Sequence, residues 1–179
     1  MSANAEMTLG DVAAALRGGA RAILQVRHAE RPKIDPTDPT FGDSLPLTAE
    51  GVRTARLFGE ALREFAGDAQ FLASPLRRTR MTAALIAEGM GADAGEIPAD
   101  GRVGNGSFYY SDTAEVLRVF TPPENFFPAC IEYMDTGRQR GFNRLAESTD
   151  ALEEWLFARF SKRLMVVATH DLYIAAFLA

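Results

Sequence analysis

Two apolar runs that each end in a histidine constrain this chain more than any other feature. Ala22-Ile23-Leu24-Gln25-Val26 leads into Arg27-His28, and Leu164-Met165-Val166-Val167-Ala168-Thr169 leads into His170. The 179 residues contain only two histidines, so both fall at the ends of such runs. Short continuous apolar runs rich in β-branched residues read as strands buried on both faces, the signature of a parallel sheet. Two of them finishing in histidine place both imidazoles at the carboxyl-terminal rim, where open α/β sheets bind their ligands. One histidine at a strand end is ordinarily a bystander. A matched pair points to a shared site.

The segments between these runs carry helical periodicity. Val12, Ala13 and Leu16 define a short helix that stops at Gly18-Gly19. The first strand follows at about 21–27. Residues 31–47 hold four prolines and read as a long irregular loop. Thr48 suits the cap of a helix running to about Phe65, with Val52, Ala55, Phe58, Leu62 and Phe65 on one face. Gln70 to Ala73 reads as a short strand. Ser74 and Pro75 suit the N-cap and first position of a helix that ends near Gly89. A further strand is expected at 96–99, and from about 100 to 145 the pattern breaks down. Leu152, Trp155, Leu156 and Phe160 mark a helix before the strand at 164–169, and Asp171 starts a last one. Strands alternating with helices predict a three-layer α/β/α domain over 1–179 with a mainly parallel central sheet, and with 100–145 as an irregular wall beside the site.

Composition narrows the function. The net charge is -5, so a generic nucleic-acid binder is not expected and any positive site must be local. The single Cys130 forms no internal disulfide and no metal–thiolate cluster. No basic-then-apolar leader opens the chain, and the last apolar run, Leu172 to Ala179, is too short to span a bilayer. A cytoplasmic protein without membrane association is the expectation.

The rim residues suit phosphate chemistry. A phosphoryl group needs positive donors on its oxygens, and arginine supplies them in a fixed bidentate geometry. Arg27 and Arg31 flank His28, and Arg77, Arg78 and Arg80 lie in the first turns of a helix whose start adds oriented N–H groups. A neutral imidazole held among such groups is a competent nucleophile toward phosphorus. Solvated surface charge is the plainer reading for two of the three helix arginines, and Asp171 also suits a simple helix cap.

Three blocks resemble the histidine phosphatase, or phosphoglycerate-mutase-like, superfamily: Val26-Arg27-His28-Ala29-Glu30-Arg31-Pro32, the stretch from Ser74 to Ala83 with its Ser-x-Leu-x-Arg pattern, and Ala168-Thr169-His170-Asp171. Leu47-Thr48-Ala49-Glu50-Gly51 is similar to the family's helix start after the long loop. The resemblance implies that His28 is the phosphorylated nucleophile. It implies that Arg27 and His170 contact the phosphoryl oxygens, that Arg78 completes the pocket, and that no metal or other cofactor is needed. Arg31 joins the phosphate-binding set, while Arg77 and Arg80 fall on variable helix-surface positions. The family's usual Arg-His-Gly is Arg27-His28-Ala29 here, which keeps a small residue.

The resemblance also frames the question of the acid. In the mutase-like branch a Glu shortly after the third strand protonates the leaving oxygen, and the corresponding stretch here, Arg102 to Gly106, has no carboxylate. In the acid-phosphatase branch the acid follows the second histidine, which selects Asp171; Glu96, Asp100, Asp112 and Glu115 are the alternatives. Family members continue into a further strand, whereas nine residues follow His170 here. The sheet is therefore expected to lack a C-terminal strand or to be closed by the N-terminal segment.

These readings predict a metal-independent phosphomonoesterase acting through a phosphohistidine on a small phosphorylated molecule or a phosphoprotein. A phosphomutase and a non-catalytic phosphate-binding module are the alternatives. Phe108, Tyr109, Tyr110, Phe126, Phe127, Arg138 and Arg140 are the candidate substrate wall.

Overall fold

The computed structural model describes residues 7–35, 38, 40 and 42–179. In chain order these form α1 (Leu9–Arg17), β1 (Ala22–Arg27), α2 (Ala49–Glu60), β2 (Ala69–Ala73), α3 (Arg77–Met90), α4 (Thr113–Val119), α5 (Phe126–Thr136), α6 (Leu145–Arg159), β3 (Leu164–Thr169) and α7 (Asp171–Leu178). The strands are parallel and ordered β1-β3-β2, so the last strand in the sequence occupies the centre. β3 is buried at every position, but β1 lies at an edge and is only partly buried. Full enclosure of both histidine-bearing strands was the expectation, and only the central one meets it. Arg27 pairs with Thr169, so His28 and His170 are the next residues on adjacent strands.

Alternation along β3 builds the layers. Leu164, Val166 and Ala168 face one side and pack with Leu16, Leu62, Phe65, Ile86 and Met90 from α1, α3 and the turn after α2. Met165 and Val167 face the other side and pack with Leu152, Trp155, Leu156, Tyr173 and Ala176 from α6 and α7. Helices thus cover both faces of the sheet, as a parallel sheet requires. The three-layer α/β/α expectation holds. Among the described residues, no helix is long and apolar enough to cross a membrane.

Several boundaries differ from the sequence expectation. Thr48 does cap α2, accepting the Gly51 N–H at 3.0 Å, but the helix stops at Glu60. A 3-10 stretch at Arg63–Asp68 then carries Phe65 into the core that a longer helix was expected to fill. Ser74 and Pro75 precede α3 without capping it, since Leu76 occupies the N-cap. The expected strand at 96–99 is a single bridge, Ala73 to Ala99. Pro98 sits in that segment and has no N–H to extend a ladder. Residues 100–145 do contain regular structure. Its signal is hidden because α5 exposes Phe127 and Ile131 while burying Ala129, Cys130 and Tyr133.

Two glycines set the spacing of α2 and α3. A Cβ on Gly59 would lie 2.1 Å from the Ile86 carbonyl oxygen, and one on Gly89 would lie 2.1 Å from that of Arg56. No side-chain rotation relieves a clash with backbone, so the helices would have to separate. Gly89→Ala is expected to lower stability by about 1–3 kcal/mol, roughly 2–12 °C in Tm for a chain of this size. Gly67→Ala, whose added methyl meets open space, should stay within about 0.5 kcal/mol. Thermal unfolding of the two variants side by side checks this.

Candidate active site

The loop after β1 and the start of α7 present the two imidazoles to one another. Their ring centroids lie 5.5 Å apart at an interplanar angle of 65°, and both residues are buried. The His28 N–H donates to the Thr169 carbonyl at 2.9 Å, which extends the β1–β3 ladder by one step. The His28 Nδ1 lies 2.9 Å from the Ala29 carbonyl oxygen. A carbonyl only accepts, so Nδ1 carries the proton and Nε2 keeps a free lone pair. His170 is held from its other nitrogen, with Nε2 2.9 Å from Ser74 Oγ.

Arginines surround this pair. Arg78 is 8% exposed; its Nη1 donates to the Gly42 carbonyl at 3.1 Å, and its Nε is buried with no partner among the described residues. Arg31 donates from Nη1 to the Pro32 carbonyl at 2.8 Å, and its buried Nε likewise has no partner among the described residues. Arg27, more exposed, lies 3.3 Å from the Asp171 carboxylate through its Nε. Two buried guanidinium N–H groups without acceptors are costly unless a ligand completes them. An anion with several oxygens is the ligand that would do so.

The electrostatics agree. Burial pushes the His28 pKa down, and Arg78, Arg27 and Arg31 push it further, against the hydrogen bond to Ala29. Burial pushes His170 down to about 3, helped by Arg78, His28 and Arg27 and opposed by Asp171. Burial also lowers Arg78, with Arg31 adding to the effect and Asp43 and Asp171 opposing it. Burial and the neighbouring guanidiniums thus favour the neutral form of both imidazoles. For His28 that is the form a nucleophile requires.

The other candidate acids lie in contacts of their own. Glu96 pairs with Arg80, Asp100 binds the Arg102 guanidinium at 2.9 and 2.8 Å, and Asp112 caps α4 through the Glu115 N–H. Glu115 pairs with Arg118 and Arg140. The stretch Arg102 to Gly106 carries no carboxylate, and at its Gly104 a Cβ would lie 2.7 Å from the Ser74 Cβ. Asp171 opens α7, but the cap position belongs to His170; the Asp171 carboxylate accepts the Leu172 N–H at 3.1 Å and faces Arg27. The reading of Asp171 as the helix cap is thus corrected.

Arg77 and Arg80 are exposed, as their helix-surface reading anticipated. Much of the expected substrate wall is local core: Tyr109 is buried, and Phe108 and Tyr110 pack against the same cluster. Arg140 is committed to Glu115, whereas Phe127 is exposed. Two residues near the centre carried no functional reading in the sequence. Ser74 lay inside a quoted motif but was read as a cap. Asp43 sits in the irregular loop, where nothing local connects it to Arg78. Among the described residues, no group of three or more His, Cys, Asp or Glu side chains is placed to hold a metal ion.

A parallel three-layer fold with paired histidines and arginines at the strand ends defines an α/β protein with a basic, histidine-bearing rim. The model of the histidine phosphatase superfamily (branch 1) matches residues 23–179, and this chain belongs to that family. Solved structures with a similar fold include a mycobacterial glucosyl-3-phosphoglycerate phosphatase in complex with inorganic phosphate. It is 18% identical with a TM-score of 0.56, covering 89% of this chain and 78% of that one. "Mycobacterial hydrolase 2" matches with a TM-score of 0.53 at 18% identity, covering 89% of this chain and 71% of that one. No curated protein sequence matches. The branch match leaves the acid open, because the stretch Arg102 to Gly106 carries no carboxylate.

Proposed function

We propose that this protein is a metal-independent phosphomonoesterase that works through a phosphohistidine on His28. One observation carries the reading: two buried imidazoles lie 5.5 Å apart, with Arg78 and Arg27 near enough to act on both and Arg31 on His28. The His28 Nε2 lone pair attacks phosphorus in line, forming the N–P bond as the ester P–O bond breaks. Arg27, Arg31 and Arg78 take the charge on the equatorial oxygens, and His170 joins them once its free nitrogen is protonated. As the phosphoryl group draws Arg27 away, the Asp171 carboxylate takes a proton from solvent and gives it to the departing oxygen. Water then attacks phosphorus as the N–P bond breaks, Asp171 takes the water's proton, His28 Nε2 regains its lone pair, and inorganic phosphate leaves. A phosphoryl group that engages Arg27 also frees the Asp171 carboxyl from its ion partner.

The fold neighbour solved with inorganic phosphate supports the reading at the level of architecture. The substrate is a small phosphorylated molecule or a phosphoprotein. In the test, p-nitrophenyl phosphate turnover is followed with and without excess chelator, and inorganic phosphate or vanadate is titrated as a ligand. Activity is expected to persist in chelator, and vanadate to inhibit by occupying the basin between His28 and His170. Loss of activity on chelation, restored by a divalent ion, would overturn this mechanism. Tight phosphate binding with no turnover of any phosphate ester would establish the binding-module alternative instead.

A further inference from the structure

The Ser74 hydroxyl does more than touch His170, because the groups behind it favour one direction of hydrogen bonding. Thr79 Oγ1 lies 2.7 Å from the Leu76 carbonyl oxygen and 2.9 Å from that of Ser74. Carbonyl oxygens only accept, so the single Thr79 hydroxyl proton goes to one of them, Leu76 being the nearer. Toward Ser74 Oγ, 2.8 Å away, Thr79 can then only accept, and the Ser74 hydroxyl must donate to it. Having given its one proton to Thr79, Ser74 Oγ can only accept from His170 Nε2. Ser74, Thr79 and His170 are all buried, which makes an unmatched donor or acceptor in this chain costly.

We propose that Thr79 and Ser74 are positioning residues that hold His170 as its Nε2–H tautomer, leaving Nδ1 as the nitrogen that gains and loses a proton. The two histidines are then opposite in kind. His28 is Nδ1–H, fixed by the Ala29 carbonyl, with Nε2 free to attack. His170 is Nε2–H, fixed by Ser74, with Nδ1 free to take a proton from solvent and donate it to an anionic phosphoryl oxygen. The groups that act on His170 electrostatically are Arg78 from α3, His28 and Arg27 from the end of β1, and Asp171 from α7; all but Asp171 oppose its charging until an anion arrives. The catalytic consequence rests on the phosphohistidine reading, but the tautomer does not, so the two can fail separately.

With two histidines in the chain, ¹⁵N-histidine labelling and two-bond ¹H–¹⁵N spectra report both tautomers directly, with His28→Ala giving the assignment. At neutral pH the unmutated protein should show one Nδ1–H and one Nε2–H ring, the second being His170. Thr79→Val, close to isosteric, frees the Ser74 proton for donation to Nε2 and should reverse His170 to Nδ1–H. Thr79→Ser keeps the hydroxyl and should keep the tautomer. Ser74→Ala should leave a mixture. In turnover, Thr79→Val should lower kcat by about tenfold to a hundredfold, the scale for groups that orient a functional histidine, and Thr79→Ser should restore it. An Nδ1–H His170 in the unmutated protein, or a tautomer indifferent to Thr79→Val, overturns the relay. A reversed tautomer with unchanged kcat overturns its catalytic role. Absence of turnover in the unmutated protein, with the predicted tautomers present, overturns the phosphatase reading and leaves the relay standing.

Discussion

His28→Ala is expected to reduce phosphate-ester turnover to background, a loss on the order of a millionfold, comparable to deletion of a covalent nucleophile elsewhere. The other imidazole, His170, has its Nε2 at Ser74 and its Nδ1 assigned to proton transfer, and the arginines around the pair bind phosphate but do not attack it. The fold should survive, because His28 lies just beyond the end of β1 and its backbone N–H bond to Thr169 does not depend on the side chain. Inorganic phosphate should still bind, since Arg27, Arg31, Arg78 and His170 remain. Steady-state kinetics, circular dichroism and phosphate titration on one preparation check all three statements. Turnover within tenfold of the unmutated protein would exclude a phosphohistidine on His28.

Asp171→Asn should show an effect that depends on the leaving group. General acids contribute typically about 10²–10⁴-fold, and that loss is expected for an alkyl phosphate, whose alkoxide leaves poorly without a proton. For p-nitrophenyl phosphate the leaving oxygen hardly needs one, so the loss should be much smaller. Asparagine can keep the contact with the Leu172 N–H but gives up the charge opposite Arg27 and the transferable proton. Equal losses on both esters would mean that Asp171 only balances the pocket charge. Asp43, the half-buried carboxylate that acts on Arg78, is the next acid to examine by the same pair of substrates.

Legibility differed sharply between neighbouring residues. His28, His170, Arg27 and Arg31 lie within a few residues of a strand end, whereas only the Ser-x-Leu-x-Arg pattern of the resemblance separates Arg78 from Arg77 and Arg80 at the same helix start. Their convergence follows from parallel strands that finish at one rim. Ser74 shows the opposite case. Its position between a strand and a helix made it look like a cap, and the capping rule is local, but the chain extends two residues further before α3 begins. The hydroxyl is then free to reach a histidine 96 residues away. Asp43 and the Gly42 carbonyl reach Arg78 from an irregular loop that no periodicity describes.

The sequence by itself determined the three strands, though it also predicted one at 96–99 that is only a bridge, and it determined that the strands run parallel, which ends carry the histidines, and that the positive site is built from arginine. Those properties follow from burial of consecutive apolar side chains and from interactions within a few residues. Only the tertiary structure decided that β3 is central and β1 an edge. It also decided that α2 breaks so that Phe65 packs from a turn, that Asp100 and Glu115 belong to other partners, and that Thr79 and Ser74 dictate which nitrogen of His170 holds the proton. The reason is physical. Hydrogen-bond direction and charge pairing depend on atoms brought within about 3 Å of one another, and the chain brings such atoms together across tens of residues only once it has folded.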